Sequence, residues 1–449
     1  MKKMILLFIV SFFAIFTIAN AEQLINYDWT FNKTNYNYGY GLNNVLVSDD
    51  SYFTWHIDKG TFKNVITEYN KSGKVINTYE PKIEYSIVDL IYYDDNYIII
   101  DRHGNIYKLN KNFNIIKSIS NKETKTIIND KSELKISNNT IYYIDKANYS
   151  IFSSDYQLDN YKYYNLENIE NNESLLEIVP FLSPTDKMYF KYLLTILNKN
   201  EDIIITDILN NNNFYYITSA TYNDNKITSS IRIVDETLKD IWLDTYNDII
   251  PLNVITYKDY LFVLFITSSL DNYSIKVYNK DYEFIYKEEI ELNEKNAIPI
   301  SLITDNQSIL IKSILYNAED LLTLGLIEQY PEIVIDKYDI SIFEIRKIVK
   351  GEGTIDVQDN AISGDLVKFE IITKEGYILE KLSIKDANGN SIPVSDYKFK
   401  MPNSNVTITA IFAPENPNTN DKISYIIPII LISLDILVLS LYQYKRCKN

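Results

Sequence analysis

The chain has 449 residues, with 44 Lys plus Arg against 60 Asp plus Glu, a net charge of −16, 39 Tyr, two His and one Cys. One cysteine excludes an internal disulfide framework and a thiolate metal cluster. Two histidines leave little for a His-based zinc site or a hydrolytic triad, and the acidic excess argues against a nucleic-acid surface, where clustered Lys and Arg must neutralise phosphates. At 46% hydrophobic and 14% aromatic residues the sequence is no disordered acidic tail.

Residues 1–21 read as a secretory signal: Met1-Lys2-Lys3, an apolar run from Met4 to Ile18, then Ala19-Asn20-Ala21 before Glu22. Ala19 and Ala21 supply the small residues at −3 and −1, so cleavage is expected after Ala21; an uncleaved anchor is the competing reading. Removal of this segment takes Lys2 and Lys3 and leaves 42 basic against 60 acidic residues, −18.

Residues 22–345 carry the period of short strands bounded by Asn, Asp and Gly, with no convincing helical stripe. An eleven-residue window recurs, starting at Ile66, Ile106, Ile151, Leu194, Ile231 and Ile275, with a weaker copy at Ile333. An apolar strand enters, Asn or Asp at the fifth position opens a turn, and a second strand leaves through an apolar residue at the eleventh. A four-stranded sheet every 40 or so residues is the spacing of a propeller blade. The windows resemble the degenerate blades of secreted bacterial β-propellers. Seven blades are favoured, with six or eight open and an array of β-sandwiches as the other architecture. Residues 22–42, including Trp29, are expected to close the ring or form an opening strand, and Asn165–Leu176 to form a surface loop.

A different pattern fills residues 351–413: Gly353-Thr354-Ile355, Gly364-Asp365, Gly376-Tyr377, Asn388-Gly389, and Phe399-x-Met401-Pro402-x-x-Asn405-Val406-Thr407 running to Ala410 and Phe412. These residues resemble the bacterial repeat domain related to internalin B-type repeats. Val406, Ile408, Ala410 and Phe412 alternate as one face of a half-buried strand, and Gly389 suits a turn needing positive φ. The resemblance implies a small β module used as a spacer on a surface protein and no catalytic role.

Residues 414–422 form a linker containing Asn416-Pro417-Asn418-Thr419-Asn420, followed by an apolar span at 423–442 and a basic tail at 443–449 holding Cys447. The span is long enough for one transmembrane helix with the tail inside, which puts everything before Ile423 outside. Asp435 near its middle costs about 2.5–3.5 kcal/mol on insertion scales. The order of pentapeptide, span and tail resembles a Gram-positive sortase signal of the Asn-Pro-x-Thr-Asn type. That resemblance implies cleavage between Thr419 and Asn420 and transfer of the Thr419 carboxyl to peptidoglycan. Asn418 departs from the pattern at its third position, and a plain juxtamembrane linker is the alternative.

His56 lies in a strand pattern and His103 in a turn before Gly104, and both read as structural. Asp49-Asp50, Asp94-Asp95-Asn96 and Asp386-x-Asn388 offer oxygens to Ca²⁺, but none has EF-hand spacing, so turn chemistry explains them first. The tyrosine-rich Tyr36-Asn37-Tyr38-Gly39-Tyr40 suits contact with a sugar or a protein, and equally a coding sequence rich in Ile, Lys, Asn and Tyr. The expectation is an all-β, propeller-like head with a β spacer and a C-terminal anchor. It would act as a non-enzymatic binding or adhesion module for an unknown protein or glycan, attached to membrane through 423–442 or to peptidoglycan through Thr419, with no cofactor and no nucleic acid. A carbohydrate-active enzyme using a carboxylate pair, or a purely structural envelope protein, are the other readings.

Overall fold

The computed structural model describes residues 24–31, 44–124, 133–145, 150–166, 179–199, 203–211, 214–223, 226–269, 272–290, 292, 294, 296–305, 308–315 and 332–415. The expected signal, the Tyr36–Tyr40 segment, the pentapeptide, the span at 423–442 and the basic tail lie outside the described residues. Among the described residues no helix is long and apolar enough to cross a membrane. The chain divides into two compact units, residues 23–341 and residues from 342 onward.

Among the described residues the first unit contains six four-stranded antiparallel sheets and is propeller-like. Blade 1 comprises Val45–Val47, Ser51–Ile57, Asn64–Asn70 and Val75–Tyr79, and blade 2 Ile87–Tyr93, Asn96–Asp101, Ile106–Leu109 and Ile115–Ile119. Blade 3 is Glu133–Ser137, Thr140–Asp145, Ser150–Asp155 and Tyr161–Asn165. Blade 4 is Ile203–Asn211, Phe214–Asn223, Lys226–Val234 and Asp240–Asn247, and blade 5 Ile249–Tyr257, Tyr260–Thr267, Tyr273–Tyr278 and Phe284–Glu289. Blade 6 takes Ala297–Thr304, Ser308–Leu315 and Glu332–Ile340 from the end of the unit and its outer strand, Ile25–Thr30, from the beginning, with Ile25 opposite Ile340. First strands of successive blades touch, as in 203–211 with 249–257 and 249–257 with 297–304, so they are innermost.

Six blades rather than the favoured seven follow from one misread window. The copy starting at Leu194 lies in a helix, α1, spanning Pro184–Lys199. Ser183 caps it: its hydroxyl accepts the Asp186 N–H at 3.2 Å and donates to the Asp186 carboxylate at 2.6 Å, with Pro184 at the first helical position. Met188, Tyr192 and Ile196, four residues apart, pack on Tyr215, Ile217 and Val234 of blade 4. Phe190, Leu193 and Tyr189 face Tyr142, Ile144 and Ile151 of blade 3. The helix therefore wedges between blades 3 and 4, with two apolar stripes where the sequence reading found none.

The windows at Ile66, Ile106, Ile151, Ile231 and Ile275 fold as expected and share one turn, whereas the weaker copy at Ile333 runs straight along the strand Glu332–Ile340. At the fifth position Asn70, Asn110, Asp235 and Asn279 each accept two backbone N–H groups, from residues two and four further on, at 2.8–3.1 Å. Asp155 accepts the Asp159 N–H at 2.9 Å. The eighth position has positive φ in all five: Gly73, Phe113, Leu158, Leu238 and Tyr282. A bulky residue there costs about 1–2 kcal/mol of backbone strain. Burying its side chain returns about 1.5–3 kcal/mol. Phe113 packs among blade 1 residues, Leu158 among those of blade 2 and Tyr282 among those of blade 4. Blade 1 has glycine instead, because Trp29 of the closing strand occupies the space: a Cβ on Gly73 would lie 2.8 Å from the indole.

The eleventh position, though apolar, is not part of the core. Ile76, Ile116, Tyr161, Ile241 and Ile285 are all exposed, since the outermost strand is paired on one side and covered by nothing.

In the second unit Ile342–Lys350 pairs in parallel with Val406–Pro414, flanked by Asn360–Ile362 and Tyr377–Asp386, with two small two-stranded sheets beside them. Val406, Ile408, Ala410 and Phe412 are buried together with Val367, Phe369, Phe399 and Met401, as the alternation requires. Gly351 adopts φ +85° against the Phe412 carbonyl, and Gly389 φ +83° in open space.

Candidate functional site

One polar position recurs on the innermost strands. In blades 2, 4, 5 and 6 the first strand shifts register at Ile87/Asp89, Ile205/Asp207, Pro251/Asn253 and Pro299/Ser301. A bulge of this kind re-aims the following side chain. Asp89 accepts the N–H of Leu134 in the next blade at 2.9 Å, Asp207 that of Val254 at 2.9 Å, and Asn253 that of Leu302 at 2.7 Å. The Asn253 side-chain amide also donates to Asp207 at 2.6 Å. In blade 3, whose neighbour is the helix, Lys135 reaches Asp186 at the helix N-terminus at 2.9 Å. Asn44, ahead of blade 1, accepts the Lys312 ammonium from blade 6. These links tie blade 2 to blade 3, blade 3 to the helix, blade 4 to blade 5, blade 5 to blade 6 and blade 6 to blade 1.

Around them lies a cavity of about 740 Å³, walled by the inner strands of blades 4, 5 and 6, by Glu133 and Lys135, and by Thr185 and Tyr189 of the helix. Its size falls within the range of small-molecule sites. Its floor is apolar, from Ile205, Leu252, Ile255 and Ile300, and its polar groups include Thr206, Asp207, Asn253 and Ser301.

The charge at its wall is a closed cluster. Lys135 sits 2.8 Å from Glu133 and 2.9 Å from Asp186. Burial works against the ammonium, but the two carboxylates outweigh it and hold its pKa well above the usual lysine range. Asp186 also accepts the Tyr142 hydroxyl at 2.9 Å and that of Ser183. Burial pushes the Asp89 carboxyl up to about 7; Glu133 pushes the same way, while the N–H groups of Leu134 and Leu90 and the charge of Lys135 oppose it. These groups hold one another, so the cluster supplies a polar wall rather than a base poised on a nucleophile.

The remaining sequence candidates fall elsewhere. His56 is buried in the second strand of blade 1, where desolvation pushes its imidazole down to about 4 against the pull of Asp58. His103 stacks on Tyr85 at 3.7 Å, and its N–H donates to Asp101. Asp94 and Asp95 form a positive-φ turn, with Asp95 paired to Lys111 at 2.9 Å, and Asp386 accepts the N–H groups of Asn388 and Asn390. Among the described residues no three His, Cys, Asp or Glu side chains gather as a metal ion requires. Ala19, Ala21 and Asn416, Pro417, Asn418, Thr419 and Asn420 lie outside the described residues. The recurring inner polar position was missed in the sequence; its signal is a lone Asp or Asn inside apolar strands, 46 residues apart from Asp207 to Asn253.

Among solved structures the chain is similar to BamB from Moraxella catarrhalis (TM-score 0.35, 10% identity, 68% of this chain and 84% of that one). It is also similar to the computationally designed Ika8 protein (TM-score 0.36, 7%, 70% and 100%) and to a europium-containing methanol dehydrogenase (TM-score 0.38, 8%, 70% and 93%). Comparison with curated proteins gives no match. Residues 346–416 match the family described as the divergent InlB B-repeat domain, in agreement with the Gly-Asp, Gly-Tyr and Phe-x-Met-Pro motifs that fall within them.

Proposed function

We propose that this is an exported bacterial surface protein acting as a non-enzymatic binding module. Its propeller-like head takes the ligand, its InlB-type repeat serves as a spacer in the chain, and residues 414–449 attach it to the envelope. The observation that carries the reading is the cavity of about 740 Å³ on the inner strands, whose charged wall is internally paired and whose floor is apolar. That combination suits holding a ligand more than attacking one. The Asp89 carboxyl, which burial pushes up to about 7, favours a carboxylate-using enzyme instead, although Asp89 lies outside the lining of this cavity.

The test is a screen of the mature chain against immobilised glycans and surface proteins, followed by Leu252→Trp, which fills the cavity floor. Loss of at least tenfold in affinity with an unchanged unfolding midpoint supports the reading; full affinity in the variant refutes the cavity as the site. Turnover of a glycan, abolished by Asp89→Asn, assigns the enzyme instead.

A further inference from the structure

A second cleft opens on the face of blade 5 turned toward blade 4, reaching Ile249, the first residue of blade 5's innermost strand. It has a volume of about 630 Å³, and its walls include Phe265, Thr267, Ser274, Lys276 and Lys287. Two features of it are physically unusual. Lys276 and Lys287 are direct cross-strand partners on the third and outer strands of the blade. Like charges placed directly opposite one another destabilise a sheet, and here they stand together in a chain of net charge −16.

The second feature is the solvation of Lys276. Its ammonium lies 4.1 Å from the centre of the Tyr246 ring and 4.7 Å from that of Phe265, and among the described residues it makes no hydrogen bond or ion pair. Burial and the neighbouring Lys287 pull its pKa down, with Asp244 working against them. Asp244 does not neutralise it by contact: its carboxylate accepts the Tyr246 hydroxyl and the Thr245 N–H. Lys287 has Glu289 as a partner at the exposed rim, where such a pair is worth about 0–1 kcal/mol and readily exchanges. The cleft thus offers one ammonium without a counter-ion and a second whose counter-ion is weakly held, with Thr267 and Ser274 in the same lining.

We propose that this cleft binds a hydroxylated carboxylate of the uronic-acid type, its carboxylate shared between Lys276 and Lys287. Binding resolves the like-charge contact and replaces the missing counter-ion, while a neutral sugar gains neither.

The experiment is calorimetric titration of the mature chain with D-glucuronate, D-glucose and inorganic phosphate as probes. Saturable binding of glucuronate, at least tenfold tighter than glucose or phosphate, is expected. Lys276→Met and, separately, the exposed Lys287→Met should each weaken it at least tenfold. Glucuronate should also raise the thermal midpoint of the natural chain and leave that of Lys276→Met unmoved. Leu252→Trp, which blocks the inner cavity, should bind glucuronate normally, so failure of the cavity reading and failure of this one are separable. Equal affinity for glucose and glucuronate, equal affinity for phosphate, no binding at all, or full affinity in both lysine variants overturns the proposal.

Discussion

Replacing Trp29 with Ala and Gly73 with Leu, singly and together, tests how the closing strand completes the head. Trp29 packs on Phe31 with ring centres 4.2 Å apart and on Tyr69 at 5.9 Å, and its indole N–H has no hydrogen-bond partner among the described residues. Removing a buried aromatic side chain costs about 3–5 kcal/mol. Partial burial and the unsatisfied N–H reduce this, so Trp29→Ala should cost about 2–3 kcal/mol, or roughly 4–6 °C in a domain of this size. Gly73→Leu alone drives a Cβ to 2.8 Å from the indole at φ +81°. Left-handed strain of about 1–2 kcal/mol and overpacking of about 1–3 kcal/mol give a loss of about 2–5 kcal/mol.

In the double variant the indole is gone, and the leucine takes the place that Phe113, Leu158 and Tyr282 fill in other blades. Burying it returns about 1.5–3 kcal/mol, so the pair should lose only about 1–2 kcal/mol against about 4–8 kcal/mol if the two losses simply added. Urea unfolding followed by far-ultraviolet circular dichroism measures all three. Losses that add within about 0.5 kcal/mol would falsify the idea that Trp29 and the eighth-position residues are equivalent wedges.

Asp89 and His56 should make stability depend on pH in opposite senses. The Asp89 pKa is raised to about 7 in the fold, so its contribution is full below about pH 4, the unfolded value, and is lost as pH climbs to 7; the advantage of the natural chain over Asp89→Asn should shrink between about pH 4 and 7 in thermal melts and stay level above that. His56 is depressed to about 4, so its contribution is present above about pH 6.5 and lost as pH falls toward 4, a slope that His56→Gln should remove. In the repeat domain, Gly351→Ala would set a Cβ 2.2 Å from the Phe412 carbonyl oxygen at φ +85°, whereas Gly389→Ala meets nothing within 4 Å. The second should lose about 1 kcal/mol and the first clearly more; equal urea midpoints would contradict the geometry.

The turns were legible because their chemistry is local: an Asn or Asp that bonds the N–H groups two and four residues on needs no distant partner, so windows at Ile66, Ile106, Ile151, Ile231 and Ile275 mark hairpins in sequence and in structure alike. The repeat domain was legible for the same reason, its glycines and the alternation of Val406 to Phe412 being local demands. The window at Leu194 matched the same template by composition, while the stronger local signal, Ser183-Pro184-x-Asp186 ahead of apolar residues four apart, belonged to a helix. Apolar residues recur at the eleventh position without being buried, because an outermost strand has a paired neighbour on one side only.

The sequence by itself determined the blade period, the turn that builds each outer hairpin, and the small β domain. Only the tertiary structure decided that, among the described residues, six four-stranded sheets build the head with a 16-residue helix wedged between two of them, and that Trp29 stands in for a wedge that Gly73 lacks. It alone placed Asp89, Lys135, Asp207 and Asn253 as links to the next element along an inner cavity. The physical reason is range: a turn is settled within about five residues, whereas a wedge or an inter-blade bond joins groups 44 to 51 residues apart, from Asp89–Leu134 and Asp207–Val254 to Lys135–Asp186.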